Sequence, residues 1–152
     1  TDGFTVAARI REYAIATVQG RSPTECETLR ESATSAVANL AHAPKAVRSI
    51  LEQRLAAVAA GTVNPDVAAN EAALRLLCIR AELISGGPTP PQDLELRREY
   101  QMRRLVESMG QGERVTPAAL DDLALEWIAI GPVEPAVHDA LLARFERCRT
   151  AR

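Results

Sequence analysis

A chain of 152 residues is long enough for one domain with a buried core, and a composition 47% apolar but only 3% aromatic leaves Leu, Val, Ile and 27 Ala to fill it. Its 18 basic and 20 acidic residues nearly cancel, to net −2, which excludes a global field toward nucleic acid or an anionic membrane. Cys26, Cys78 and Cys148 lack any CxxC or CxH spacing, and no apolar run approaches the ~18 residues of a membrane span, so a disulfide scaffold, a zinc site and a spanning helix are excluded as well.

Proline suits the first turn of a helix and glycine the position just past its last, and their alternation divides the chain into seven predicted helices. The first runs from Gly3 to Gln19 and stops at Gly20. The second runs from Pro23 to Ala41 behind Ser22-Pro23-Thr24-Glu25, which has the cap, first-turn Pro and third-position Glu of a capping box. Cys26, Leu29, Ala33, Ala36, Val37 and Leu40 form its single apolar stripe. The third, Pro44 to Ala60, carries Val47, Ile50, Leu51, Leu55 and Val58 on one side and stops at Gly61.

The fourth helix, Pro65 to Ser85 behind an Asn64 cap, has two stripes. Val67, Leu74, Leu77, Cys78, Ala81 and Ile84 form one; Leu76, Ile79 and Leu83 form another on the opposite side, so this helix belongs in the middle. The fifth runs from Pro91 to Met109 behind Thr89-Pro90-Pro91-Gln92, a second cap, with Leu94, Met102, Leu105, Val106 and Met109 as its stripe. The sixth, Pro117 to Ile130 after a Thr116 cap, turns Leu120, Leu123, Ala124, Trp127 and Ile130 inward and Asp121, Asp122 and Glu126 outward. The seventh, Pro135 to Arg149, carries Val137, Leu141, Phe145 and Cys148. Gly86, Gly110 and Gly131 each suit the left-handed residue after a helix.

No segment alternates with period two, so the predicted fold is all-α, a compact antiparallel helical array or bundle forming one domain over 1–152. Ser85 to Pro91 (SGGPTPP) divides it into halves 1–85 and 92–152; the broad apolar faces on both sides favour a rigid turn over a tether. Pro23, Pro44 and Pro65 are 21 residues apart, which also fits a solenoid with a ~42-residue unit. The aligned blocks share little identity, so equal helix length is the simpler explanation.

Few residues carry chemistry. His42 sits at a predicted helix boundary and His138 on a helix flank, neither with a partner at ligand spacing, so both are read as structural or solvent-facing. No GxSxG, HExxH, Walker or GxGxxG pattern occurs. Gly110-Gln111-Gly112-Glu113 is a helix stop, not a phosphate cradle, because no Lys is near. Asp121 and Asp122 diverge by about 100° on a helix and cannot share a substrate. Cys78 and Cys148 lie on apolar stripes, where inert thiols are expected. The expectation is a protein that is not an enzyme and uses no metal and no cofactor.

The arginines are more informative. Helical angles put Arg98 at the centre of the fifth helix's apolar stripe, with Gln101 at its edge. Three readings stand: Arg98 snorkels to water from an overhanging helix end, pairs with Glu82 or Glu126, or forms an anion site. Arg97, Arg98, Arg103 and Arg104, with Arg144, Arg147, Arg149 and Arg152, would make a basic patch if the fifth and seventh helices lay together. Glu99 and Glu146 interrupt these runs, which favours a solvated face.

Leu123-Ala124-Leu125-Glu126-Trp127-Ile128-Ala129-Ile130-Gly131-Pro132-Val133, followed by Leu141 and Arg144-Phe145, resembles the bacterial domain-of-unknown-function family 349. That family's signature looks like a Leu-rich helix ending in Trp-x-x-Ile-Gly-Pro-Val-Pro, then a helix with an Arg-Phe pair. The likeness covers roughly Leu120 to Cys148; Leu77 to Glu82 and Leu96 to Gln101 look like the C-terminal region of long members. Glu134 stands where the family tends to have Pro, with Pro135 one position later. The resemblance implies all-helical modules, often in tandem within longer cytosolic proteins, and no known activity.

Physically the motif is a corner: Trp127 wedges between the sixth and seventh helices, Gly131 stops the sixth, Pro132 prevents its continuation and Phe145 closes the far side. The Ala and Arg bias suggests a high-GC bacterial genome, and a first residue Thr1 in place of Met suggests a fragment of a longer cytoplasmic protein. The function expected is a non-enzymatic helical scaffold or protein-interaction module. It would meet a protein partner, or other domains of the parent chain, through contacts among Arg97, Arg98, Arg103, Arg104, Arg144 and Arg147. The alternative is nucleic-acid binding on the same arginine face.

Overall fold

The computed structural model describes residues 2–40, 43–62, 66–107 and 118–150. These form seven α-helices: α1 (Asp2–Val18), α2 (Pro23–Ala38), α3 (Lys45–Ala60), α4 (Val67–Ser85), α5 (Leu94–Glu107), α6 (Ala118–Ile128) and α7 (Pro135–Thr150). A short 3-10 turn, Pro91–Asp93, leads into α5. The described residues contain no strand, as the absence of period-two alternation predicts.

Local chemistry sets most helix ends. The Ser22 hydroxyl accepts the Glu25 amide at 3.2 Å and opens α2. Gly61 and Gly86 end α3 and α4 with φ of 72° and 77°, the left-handed conformation in which a side chain is disfavoured. Four boundaries differ from expectation. Helix α2 ends at Ala38, three residues before the expected Ala41. Asp66 caps α4, accepting the Ala69 amide at 3.0 Å, whereas Asn64 and Pro65 lie outside the described residues. Thr89 caps nothing, because its hydroxyl donates to the buried Glu82 carboxylate instead. Gly131 is not left-handed; among the described residues only Gly20, Gly61 and Gly86 have positive φ. Helix α6 has already ended at Ile128, through turns from Ala129 to Glu126 and from Ile130 to Trp127. Gly110, Met109, Thr116 and Pro117 lie outside the described residues.

Helix α1 packs on both α2 and α3, α3 reaches α6, and α4 packs on α6 and α7. These contacts link elements distant in sequence, which a serial stack of helix pairs does not do. One cluster of buried residues runs through α1, α2, α3, α4, α6 and α7, so segments on both sides of Ser85–Pro91 share it. Helix α1 is the most deeply seated, with Phe4, Val6, Ala7, Ile10, Tyr13, Ala14, Ile15 and Ala16 all buried. Helix α4 is central as its two stripes require: Leu74, Leu77, Cys78 and Ala81 are buried on one side and Ile79 on the other. Helix α5 is the exception. It lies against α4 and the 3-10 turn and buries none of its own residues.

Candidate functional site

The corner is built around Trp127. Its indole is fully buried and stacks obliquely on Phe145, ring centroids 4.8 Å apart, while Phe4 from α1 meets both rings edge-on at 6.4 and 6.2 Å. Gly131 and Pro132 are buried beside it. A Cβ at Gly131 would come within 3.0 Å of the Asn70 amide nitrogen. That amide donates to the Pro132 carbonyl at 3.0 Å, which ties the corner to α4. Glycine is needed here for close approach rather than for a left-handed turn.

Arg11 of α1 enters the same corner. Its guanidinium is buried and donates to the Trp127 carbonyl in the last turn of α6 and, at 3.2 Å, to the Ile130 carbonyl just beyond it. Its Nη1 lies 3.1 Å from Nε2 of His138, and the Trp127 indole N–H points at the same nitrogen from 3.2 Å. Both neighbours are donors, so Nε2 must accept and the ring is neutral. Burial, with the Arg11 charge beside it, lowers the His138 pKa, against a weaker opposing pull from Asp139. Burial also lowers the Arg11 pKa, and Arg54 adds to this. His138 is thus an internal structural group, not a solvent-facing one; His42 lies outside the described residues.

A second buried polar cluster joins α4, the turn and α7. Arg144 donates through Nε and Nη2 to Glu82 at 2.6 and 2.9 Å, and through Nη1 to Asp93 at 2.6 Å. Thr89 donates to Glu82 at 2.8 Å, Arg97 donates to Thr89 at 2.8 Å and to the Gly87 carbonyl at 3.0 Å, and Arg75 reaches Asp93 at 3.4 Å. Burial by itself lowers the Arg144 pKa, but its hydrogen bonds to Glu82 and Asp93 outweigh that and hold it above the usual value. This arrangement overturns the placing of Arg144 on an outer basic patch.

The other arginines are dispersed. Arg98 is three-quarters exposed and 3.5 Å from Glu95, so it neither faces the core nor pairs with Glu82 or Glu126. Glu82 is occupied by Arg144, and Glu126 pairs with Arg80 at 3.1 Å. Arg149 pairs with Glu146 and lies over the Phe4 ring. Arg103 and Arg147 are exposed and Arg104 is half-buried, while Arg152 lies outside the described residues, as does the loop Gly110 to Glu113.

The reason Arg98 faces water is the orientation of α5. Leu96, Arg97, Tyr100 and Arg104 are its less exposed positions, and at about 100° per residue they fall opposite Leu94, Met102, Leu105 and Val106. The apolar stripe therefore points away from the body: Leu105 is 65% and Val106 68% exposed.

Among the described residues no group of His, Cys, Asp and Glu is placed to hold a metal ion, and no helix is long and apolar enough to cross a membrane. Burial raises the Cys78 thiol to about 12 and the Cys148 thiol above its ordinary value, so neither forms a thiolate readily. Sequence reasoning missed Arg11, Thr89 and Asp93. A charged residue inside the apolar run of α1 was a signal for Arg11; Thr89 reads locally only as a helix cap, and nothing local marks Asp93. No protein-family model, curated protein or solved structure matches this chain.

Proposed function

We propose that this chain is a non-enzymatic helical interaction module whose outward face of α5 docks a protein partner or another domain of a longer parent chain. The observation that carries this is a helix with no buried residue that turns Leu94, Met102, Leu105 and Val106 to solvent, opposite the side resting on α4. Exposing four large apolar side chains along one helix is costly in water and is relieved by a partner's apolar groove or helix. Arg98 and Glu95 lie among these apolar positions as an exposed polar pair, so a partner's surface would need a polar group opposite them. The likeness of Leu120 to Cys148 to a family of tandem helical modules supports a place within a longer bacterial protein.

The two buried polar clusters support a scaffold role. Both consist of groups whose hydrogen bonds go to other protein groups and which hold helices in register. Nucleic-acid binding gains little from the geometry, because Arg97, Arg98, Arg144 and Arg149 are all engaged with protein partners.

The test is a photo-crosslinking side chain at position 102, compared with one at the exposed Ala56 of α3, in the parent cell extract. A specific adduct at 102 alone, lost on Leu105→Asp with the fold intact by circular dichroism, is the expected result. Equal labelling from both positions, or labelling indifferent to Leu105→Asp, would overturn the reading.

A further inference from the structure

Away from α5 the fold leaves a concave apolar surface. The first turns of α1 and α3, the end of α2, one side of α6 and the last turn of α7 enclose a cleft of about 620 Å³. Phe4, Leu40 and Ile128 line it although each is buried, and half-buried Val47 and Leu125 form its walls. A site of this volume is in the range of small-molecule pockets; more of its lining is apolar than polar, with Asn39, Asp121 and Arg149 as its polar side chains.

Two charged side chains are among the described lining residues, Arg149 and Asp121. Asp121 is exposed and well solvated. Arg149 is about one-third exposed and is oriented on two sides: Nη1 donates to Glu146 at 2.9 Å, and its guanidinium carbon lies 5.4 Å from the Phe4 ring centroid. A guanidinium has five N–H donors in a rigid fork, so the Glu146 bond leaves donors for a second acceptor. An oriented, partly desolvated cation above an apolar floor is a stronger anchor than a solvated carboxylate.

We propose that this cleft binds an amphipathic carboxylate, with its apolar chain against Phe4, Leu40, Val47, Leu125 and Ile128 and its head group on Arg149. Asp121 weakly opposes that head group across the rim, which favours one negative charge over two. The site shares no residue with the outward face of α5, so it stands or falls separately from the docking reading.

The test titrates octanoate, 1-octanol and octylamine into the whole chain, followed by NMR shifts of the Val47, Leu125 and Ile128 methyls. Octanoate should bind most tightly of the three. Arg149→Gln should weaken it about tenfold, the scale of one charge-assisted hydrogen bond. Asp121→Asn should strengthen it by about two- to threefold, as removal of a nearby like charge does in solvent. Ala46→Trp, at an exposed rim position, should block the cleft. Because Arg149 also rests on Phe4, melting temperatures are read for every variant, and Arg149→Lys, which keeps the charge, should retain most of the affinity. Equal binding of octanoate and 1-octanol, preference for octylamine, or undiminished binding to Ala46→Trp would each overturn the proposal.

Discussion

Arg144 of α7 and Glu82 of α4 are 62 residues apart in sequence and meet as a two-pronged ion pair at 2.6 and 2.9 Å, with side chains only 6% and 4% exposed. The third prong of the same guanidinium holds Asp93 in the turn before α5. One cation therefore fixes where α7 lies on α4 and where the chain turns toward α5. The fork geometry of arginine is needed for this, since a lysine ammonium cannot satisfy two carboxylates along three fixed directions.

Arg144→Met should destabilise the domain by about 3 to 5 kcal/mol in urea unfolding, because it leaves Glu82 and Asp93 buried without their cation. Glu82→Gln should cost less, since Asp93 still faces the guanidinium. A loss below about 1 kcal/mol for Arg144→Met would place the cluster in water rather than in the interior.

His138 gives the stability a pH dependence. Its folded pKa lies below the ordinary 6.5, because burial disfavours the imidazolium and the Arg11 charge lies beside it. Protons then bind the unfolded chain more readily, so the His138 contribution is complete above about pH 6.5 and is lost as pH falls from there through the folded pKa, by at most ~1.4 kcal/mol per pH unit. His138→Gln should remove that part of the pH dependence between pH 8 and 5. An NMR titration placing the ring at or above 6.5 would contradict this.

Trp127→Ala should cost about 3 to 5 kcal/mol, as large aromatic truncations in cores do. The emission of the folded protein should be blue-shifted, and a solvent-like maximum would mean that Trp127 is not enclosed by Phe4 and Phe145. Gly131→Ala should cost about 1 to 3 kcal/mol, because the new methyl meets the Asn70 side chain and strains its bond to Pro132.

Thiol labelling under native conditions should modify Cys26 and spare Cys78 and Cys148, which are buried and hard to deprotonate. Labelling of all three at equal rates without denaturant would show that α4 and α7 separate readily.

Titration with duplex or single-stranded nucleic acid should show only weak association that vanishes near physiological salt, since net −2 and the engaged arginines leave little local field. Submicromolar binding at that salt, abolished by Arg103→Gln and Arg147→Gln together at unchanged melting temperature, would favour the nucleic-acid alternative.

The helices were legible because their signals are local. A stripe at helical spacing, the Ser22 cap and the glycines at 61 and 86 depend on interactions within one or two turns, and the structure keeps all of them. The central place of α4 was legible too, since a helix apolar on two sides has nowhere else to go. Of the three readings of Arg98, exposure to water holds and pairing with Glu82 or Glu126 does not, for a physical reason: an apolar stripe shows which side of a helix avoids water, not whether the same chain supplies a surface to cover it. On α5 it supplies none among the described residues, so the stripe faces out and carries Arg98 with it.

Helix number, helix class and most helix ends were thus determined by the sequence alone, because capping, punctuation and periodicity act between residues a few positions apart. Which polar groups are buried together was decided only by the tertiary structure. Arg144 joins Glu82 and Asp93, and Arg11 joins His138, across 51 to 127 residues of chain. Such pairings arise where packing closes over charges that must then find partners in a medium that cannot solvate them, and no spacing rule encodes the partner. The cleft beneath Arg149 has the same origin, since five elements brought together by the core leave a space that none of them specifies by itself.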